Sequence, residues 1–144
     1  MPEPTGAPTL HASCVAFGDA GVLILGPSGA GKSALALQLM ALGAALVADD
    51  RVALRPDGTG GLRAAAPPGL PPLIEARGIG LLRATLQPEA RVMLAVDLGQ
   101  AETRRLPPQR QLLLHDVAVP LVLGPVTGHF PAAIRHYILS GRQD

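Results

Sequence analysis

The chain has 144 residues, 48% of them hydrophobic, with a net charge of +1. That is enough apolar material for one compact domain, which at this length buries roughly 68–70% of its unfolded surface. Phe17, Phe130 and Tyr137 are its only aromatics and it has no basic block, which excludes the stacking rings and charged groove of a single-strand nucleic-acid platform. Cys14 stands alone and excludes an internal disulfide framework or a thiolate metal cluster.

Residues 1–8 carry prolines and a glycine and read as a loose segment, with one domain expected over 9–144. Glu3 and prolines occupy the place of a signal peptide's basic and apolar regions. The uncharged run Ser33 to Ala48 is short for a membrane span and is interrupted by Gln38 and Gly43. A cytoplasmic location is expected, with neither membrane nor nucleic acid as partner. Leu10 to Phe17 is strand-like, and Gly18-Asp19-Ala20-Gly21 turns it into a second strand, Gly21 to Leu25. A helix-forming run from Ala34 to Leu42 follows, apolar on nearly every side and therefore expected to be covered by other elements. Gly43 sits where a helix would stop. Short strands are expected over Ala44–Ala48, Arg51–Leu54 and Leu62–Ala65, then a rigid loop over Pro67–Pro72. Val92 to Leu98 is a clear strand, residues 99–110 an exposed polar loop, and Leu112 to Leu114 is compatible with a short helix. Val117 to Leu123 is a strand whose Pro120 argues for an edge position. Pro131 can open a terminal helix through Leu139.

The chemistry centres on Gly26-Pro27-Ser28-Gly29-Ala30-Gly31-Lys32-Ser33, a phosphate-loop pattern filled at every position and flanked by a strand and a helix. Its glycines let the backbone turn without side chains in the way, so that exposed N–H groups converge on phosphate oxygens at the positive end of the helix dipole. Lys32 can neutralise the β and γ phosphates, and Ser33 can offer its hydroxyl to magnesium. Asp49 and Asp50 follow a strand directly. Adjacent strand residues point to opposite faces, but a turn at the strand end can bring both near. A carboxylate there can help to hold magnesium or accept a proton from an attacking hydroxyl. The alternative for this pair is a solvated acidic turn. His11, on the strand before the loop strand, is as a lone histidine more readily packed than catalytic. Glu75 and Arg77 lie in a glycine-bearing segment where they could reach a metal and a phosphate, or simply pair with each other. His115, His129 and His136 lack metal-site spacing and read as structural or exposed.

Four features in this order carry a resemblance: His11, the loop Gly26–Ser33, Leu46-Val47-Ala48-Asp49-Asp50, and Leu73-Ile74-Glu75-Ala76-Arg77-Gly78-Ile79-Gly80. The chain resembles bacterial HPr kinase/phosphorylase over roughly residues 9–98, as a short form with the catalytic domain alone. The resemblance implies an α/β fold, a phosphate-loop kinase domain of the phosphoenolpyruvate carboxykinase-like type with a β-rich core around the loop helix. It implies ATP and Mg2+ as cofactors and HPr or an HPr-like phosphocarrier as partner. It also implies that inorganic phosphate is used in the reverse reaction, and that the assembly is a homo-oligomer, a hexamer. It makes Asp50 the base toward the target serine, and His11 and Lys32 neighbours of the phosphate charge. Ser33, Asp49 and Glu75 become metal ligands. Arg105, with Arg104 as rival, becomes the late arginine of the catalytic set. The chain departs from the pattern at Ala34, where an acidic residue is usual. It departs again at His129, which replaces an arginine in the segment linked to dephosphorylation. Two further readings stand beside this one: a small-molecule kinase or nucleotide hydrolase of the same fold, and a nucleotide-dependent regulatory module without transfer activity.

Overall fold

The computed structural model describes residues 9–144, so the loose segment expected over residues 1–8 lies outside them. The strands are β1 (Thr9–Leu10), β2 (Ser13–Phe17), β3 (Ala20–Leu25), β4 (Ala45–Ala48), β5 (Val52–Pro56), β6 (Leu62–Ala65), β7 (Leu73–Ala76), β8 (Gly80–Arg83), β9 (Ala90–Ala101), β10 (Arg110–Leu114) and β11 (Val117–Gly124). The helices are α1 (Lys32–Ala41) and α2 (Phe130–Ser140). Nine strands form one sheet in the order β1-β5-β6-β9-β3-β2-β4, and β11 joins β9 to β10. Strands β7 and β8 form a separate antiparallel hairpin. The fold is α/β, a curled nine-stranded sheet packed on one phosphate-loop helix.

The twelve-residue β9 is the spine. It runs parallel to β3 along one edge and parallel to β11 along the second half of the other, where β6 occupies the first half. Central strands covered on both faces read as continuous apolar runs rather than alternating ones, and that is the pattern of β2, β3 and β9. Val15, Val22, Ile24, Leu94 and Val96 pack with Leu35 and Leu39 of α1 and Ile134 of α2. Their alternating neighbours Cys14, Leu23 and Ala95 face the opposite way, into a second cluster closed by Val52, Leu54, Leu62 and Val119. Burial pushes the Cys14 thiol up to about 12, so it stays neutral and packs as a small hydrophobe.

Several expectations change in the structure. The stretch Leu10–Phe17 is two strands broken at His11 and Ala12, so His11 sits in the break rather than on a strand. Helix α1 is not wholly covered, because Ala34, Gln38 and Ala41 form an exposed stripe. Alanine lies outward at little cost, so an Ala-rich helix does not announce its wet face. Residues Leu112–Leu114 belong to strand β10, not to a helix. They pair with β11 through the turn residues His115 and Asp116, which both have positive φ (48° and 64°), the backbone of a two-residue hairpin turn that suits the strand twist. Strand β11 is not at the edge, although Pro120 is paired only with Gln111 of β10 and the ladder to β9 begins at Leu121. The missing N–H of Pro120 therefore falls where the strand has a single neighbour.

The helix stop at Gly43 is as expected. With φ of 110°, Gly43 donates its N–H to the Met40 carbonyl, and Ala44 donates to that of Leu39, the paired closure that a left-handed glycine permits.

Arg63 ties the β5–β6 arm to the rest of the sheet. Its guanidinium grips both oxygens of Asp19 in the β2–β3 turn at 2.9 and 3.1 Å and reaches Glu89 at 2.8 Å. The hydrogen bond from Arg63 holds the Asp19 and Glu89 carboxyls below their ordinary values. Depressed carboxylate pKa values stabilise the fold at neutral pH, and that stabilisation fades as the pH falls through the folded-state values. The thermal midpoint is expected to drop on acidification, and Arg63→Ala to shrink that drop. An unchanged acid profile in the variant would show that these pairs carry none of it.

Candidate active site

Strand β3 delivers the chain into the loop, and Gly26 begins it with φ of 148°. A Cβ there would lie 3.1 Å from the Ala30 Cβ and 3.3 Å from the Leu98 Cβ, so the loop starts hard against β9 and only glycine fits without a shift. Gly29 and Gly31 also have positive φ, 85° and 101°, with open space where a Cβ would stand. Their requirement is conformational rather than steric. The Lys32 ammonium folds back over the loop and donates to the carbonyls of Gly26 (2.7 Å) and Pro27 (3.1 Å). Both carbonyl bonds are ones that an incoming phosphate can take over.

The two aspartates divide. Asp49 is buried and collects donors: the Ser13 hydroxyl at 2.6 Å, the Ser33 hydroxyl at 2.8 and 3.1 Å, and the Glu75 backbone N–H at 3.3 Å. Asp50 adopts φ of 73°, a left-handed conformation that aspartate tolerates better than most residues. That single turn sends its carboxylate out of the floor toward His11, whose Nε2 lies 2.7 Å from Oδ1. An ionised carboxylate has no proton to give, so Nε2–H is the donor. Both groups remain open to solvent, with side chains 54% and 70% exposed.

A cavity of about 220 Å³ opens over these groups and is lined by Ser28, Lys32 and Ser33 together with His11, Asp50 and Glu75. The loop residues Gly29 and Gly31 also face it, and so does Arg77. Of the residues singled out from the sequence, Arg105 is not brought here. It lines a second cavity with Arg104, beyond the end of β9. Strand β9 continues to Ala101, three residues past the expected Leu98.

The donor set suits a small hard cation bound together with phosphate. Ser33 Oγ and the Asp49 carboxylate touch, and the Glu75 side chain faces the same cavity. Magnesium usually takes one or two protein oxygens and fills its remaining positions with phosphate and water. Among the described residues no three His, Cys, Asp or Glu side chains converge closely enough to form a metal cage, and this mode of binding requires none.

Ser13 was not singled out from the sequence. It is fully buried and its hydroxyl holds Asp49. Cavities apart, no helix of the described residues is long and apolar enough to cross a membrane.

Residues 5–121 match the family model described as HPr Serine kinase C-terminal domain. The chain is 32% identical over 160 residues to the HPr kinase/phosphorylase of Neisseria meningitidis serogroup C, covering 93% of this chain and 50% of that protein. It is 34% identical over 148 residues to the HPr kinase/phosphorylase of Cupriavidus necator, covering 91% and 46%. The chain thus spans about half the length of these curated relatives, and 24% of a more similar one from Caldanaerobacter subterraneus that is 47% identical over 74 residues. Among solved structures it resembles the HPr(Ser) kinase/phosphatase from Coxiella burnetii, with a TM-score of 0.76 and 27% identity, covering 92% of this chain and 97% of that one.

Proposed function

The chain belongs to the HPr Serine kinase C-terminal domain family, and on that premise we propose that it moves the γ-phosphoryl group of ATP onto a serine of HPr or an HPr-like phosphocarrier. The observation that carries this reading is that Lys32 and Asp50 line the same cavity. A triphosphate held by the loop amides and Lys32 would present its outermost phosphorus to Asp50.

The acceptor serine hydroxyl would enter beside Asp50. Its oxygen bonds to the γ-phosphorus as the bond from that phosphorus to the β–γ bridging oxygen breaks. The hydroxyl proton passes to the Asp50 carboxylate, and ADP leaves. The Nε2–H bond from His11 fixes the carboxylate's orientation and places a second donor beside the developing charge. Ser33, Asp49 and Glu75 are the residues that would hold Mg2+, which when bound would neutralise charge on the β and γ phosphates. In reverse, inorganic phosphate would attack phosphoserine to give pyrophosphate and serine, with Asp50 returning the proton. Assembly into a hexamer in the cytoplasm belongs to the same reading. Ile79 and Leu81, 79% and 68% exposed on the β7–β8 hairpin, are apolar surface that an assembly would cover.

The test is labelled ATP with the purified chain and the HPr-like protein of the same organism, followed by mapping of the modified residue. Label on one acceptor serine is the expected result. Phosphate release with no labelled protein would instead establish a nucleotide hydrolase, and tight ATP binding without turnover a regulatory module.

A further inference from the structure

Strands β3, β9 and β11 run parallel, and β4, antiparallel to β2 as β2 is to β3, runs the same way. Their carboxyl ends therefore make one rim, the place where open α/β sheets bind ligands. Along it lie Asp49 and Asp50 after β4, the phosphate loop after β3, Gly99 on β9, and Pro125 after β11. We propose that the second cavity, at the β9–β11 end of this rim, receives the ribose and base of the nucleotide whose phosphates occupy the loop. This rests on the phosphoryl-transfer reading above, which fixes the direction. With His11, Asp50 and Glu75 all on the β4 side, the reacting phosphate points there and the nucleoside must leave across β9.

The path is open. Where the loop crosses β9 it meets glycine, since a Cβ on Gly99 would stand 3.1 Å from the Pro27 Cδ. The next strand offers another glycine, Gly124, where a Cβ would meet the Leu98 Cδ2 at 3.4 Å. Gly124 lines the second cavity. From loop to cavity is thus two strand spacings, roughly 10 Å at about 4.8 Å each.

The cavity itself, about 390 Å³, has the make-up of a nucleoside site. Pro107, Pro108 and Pro125 give it apolar walls, and Arg104 and Arg105 stand at it with no carboxylate partner among the described residues. A guanidinium plane both stacks on a heteroaromatic ring and bonds to phosphate oxygens. The arginine loop is held in advance of any ligand. Glu102 accepts the N–H groups of Thr103 and Arg104 at 3.1 Å each and pairs with Arg110 at 3.0 Å. Arg142 clamps the other side by donating to the Pro107 carbonyl at 2.9 Å.

Calorimetric titration of ATP and of inorganic tripolyphosphate into the full chain separates the two ends of the ligand. In the double variant Arg104→Ala/Arg105→Ala, ATP is expected to bind roughly tenfold more weakly while tripolyphosphate stays within about twofold, the scale of losing stacked and paired guanidinium groups. Photolabelling of the unmodified chain with 8-azido-ATP should mark residues 106–135. Unchanged ATP affinity, or label in the segment bearing Asp50 and Glu75, overturns the assignment. Equal weakening of both ligands also overturns it, since the arginines would then be gripping phosphate. A chain that binds neither ligand would remove the phosphate-loop reading itself.

Discussion

Asp50→Asn is expected to abolish phosphoryl transfer while leaving ATP affinity and thermal stability close to those of the unmodified chain. The amide cannot take the serine proton, and a positioned general base contributes roughly 10²–10⁴-fold in rate. The substitution is otherwise quiet. Asparagine tolerates the left-handed backbone that φ of 73° demands, and its carbonyl oxygen can still accept from His11. The side chain is 70% exposed, so no buried group is stranded. The measurement is a single-turnover rate beside an ATP titration. A variant that transfers phosphate at the normal rate would remove Asp50 as base. One that also loses ATP would mean that the residue holds nucleotide rather than proton.

Asp49→Ala should behave in the opposite way. Three donors converge on this carboxylate, from Ser13, Ser33 and the Glu75 backbone. Ser13 is fully buried, so its hydroxyl loses its acceptor where water cannot replace it. Leaving a buried donor unsatisfied costs about 1–3 kcal/mol, which for a domain of this size lowers the midpoint by roughly 4 °C per kcal/mol. The unliganded variant should melt earlier by that amount. Magnesium should also stop improving ATP binding, because Ser33 loses the carboxylate that orients its hydroxyl. A variant with normal melting and normal magnesium dependence would show that the network around Asp49 is incidental. Taken together, these two outcomes would separate proton transfer from metal binding and scaffold.

How much of this was legible beforehand depended on how local the signal was. The phosphate loop, its strand and its helix stop were readable because glycine positions, apolar runs and a left-handed C-terminal residue are properties of a few consecutive residues. The short strand Leu62–Ala65 and the terminal helix after Pro131 were readable for the same reason. The segment Leu112–Leu114 was misread because three leucines fit a buried helix or a strand equally well. What made it a strand was the register with β11, set from outside the segment. Pro120 suggested an edge because the neighbours on each side of a strand cannot be counted from its own residues. Arg105 was placed with the catalytic set by its order in the chain, and in the fold it lies at the second cavity beside Arg104.

By itself the sequence determined a loop able to grip a phosphate tail, because backbone amides freed by glycine and one following lysine are arranged by local geometry alone. It also determined which acids and which histidine were available. Only the tertiary structure decided which aspartate turns inward to Ser33 and which outward to His11. That choice rests on one backbone dihedral at Asp50 and on two partners, Ser13 and Glu75, contributed by strands 36 and 26 residues away. Side chains so distant along the chain are brought together only by sheet pairing, and pairing is a property of the whole fold.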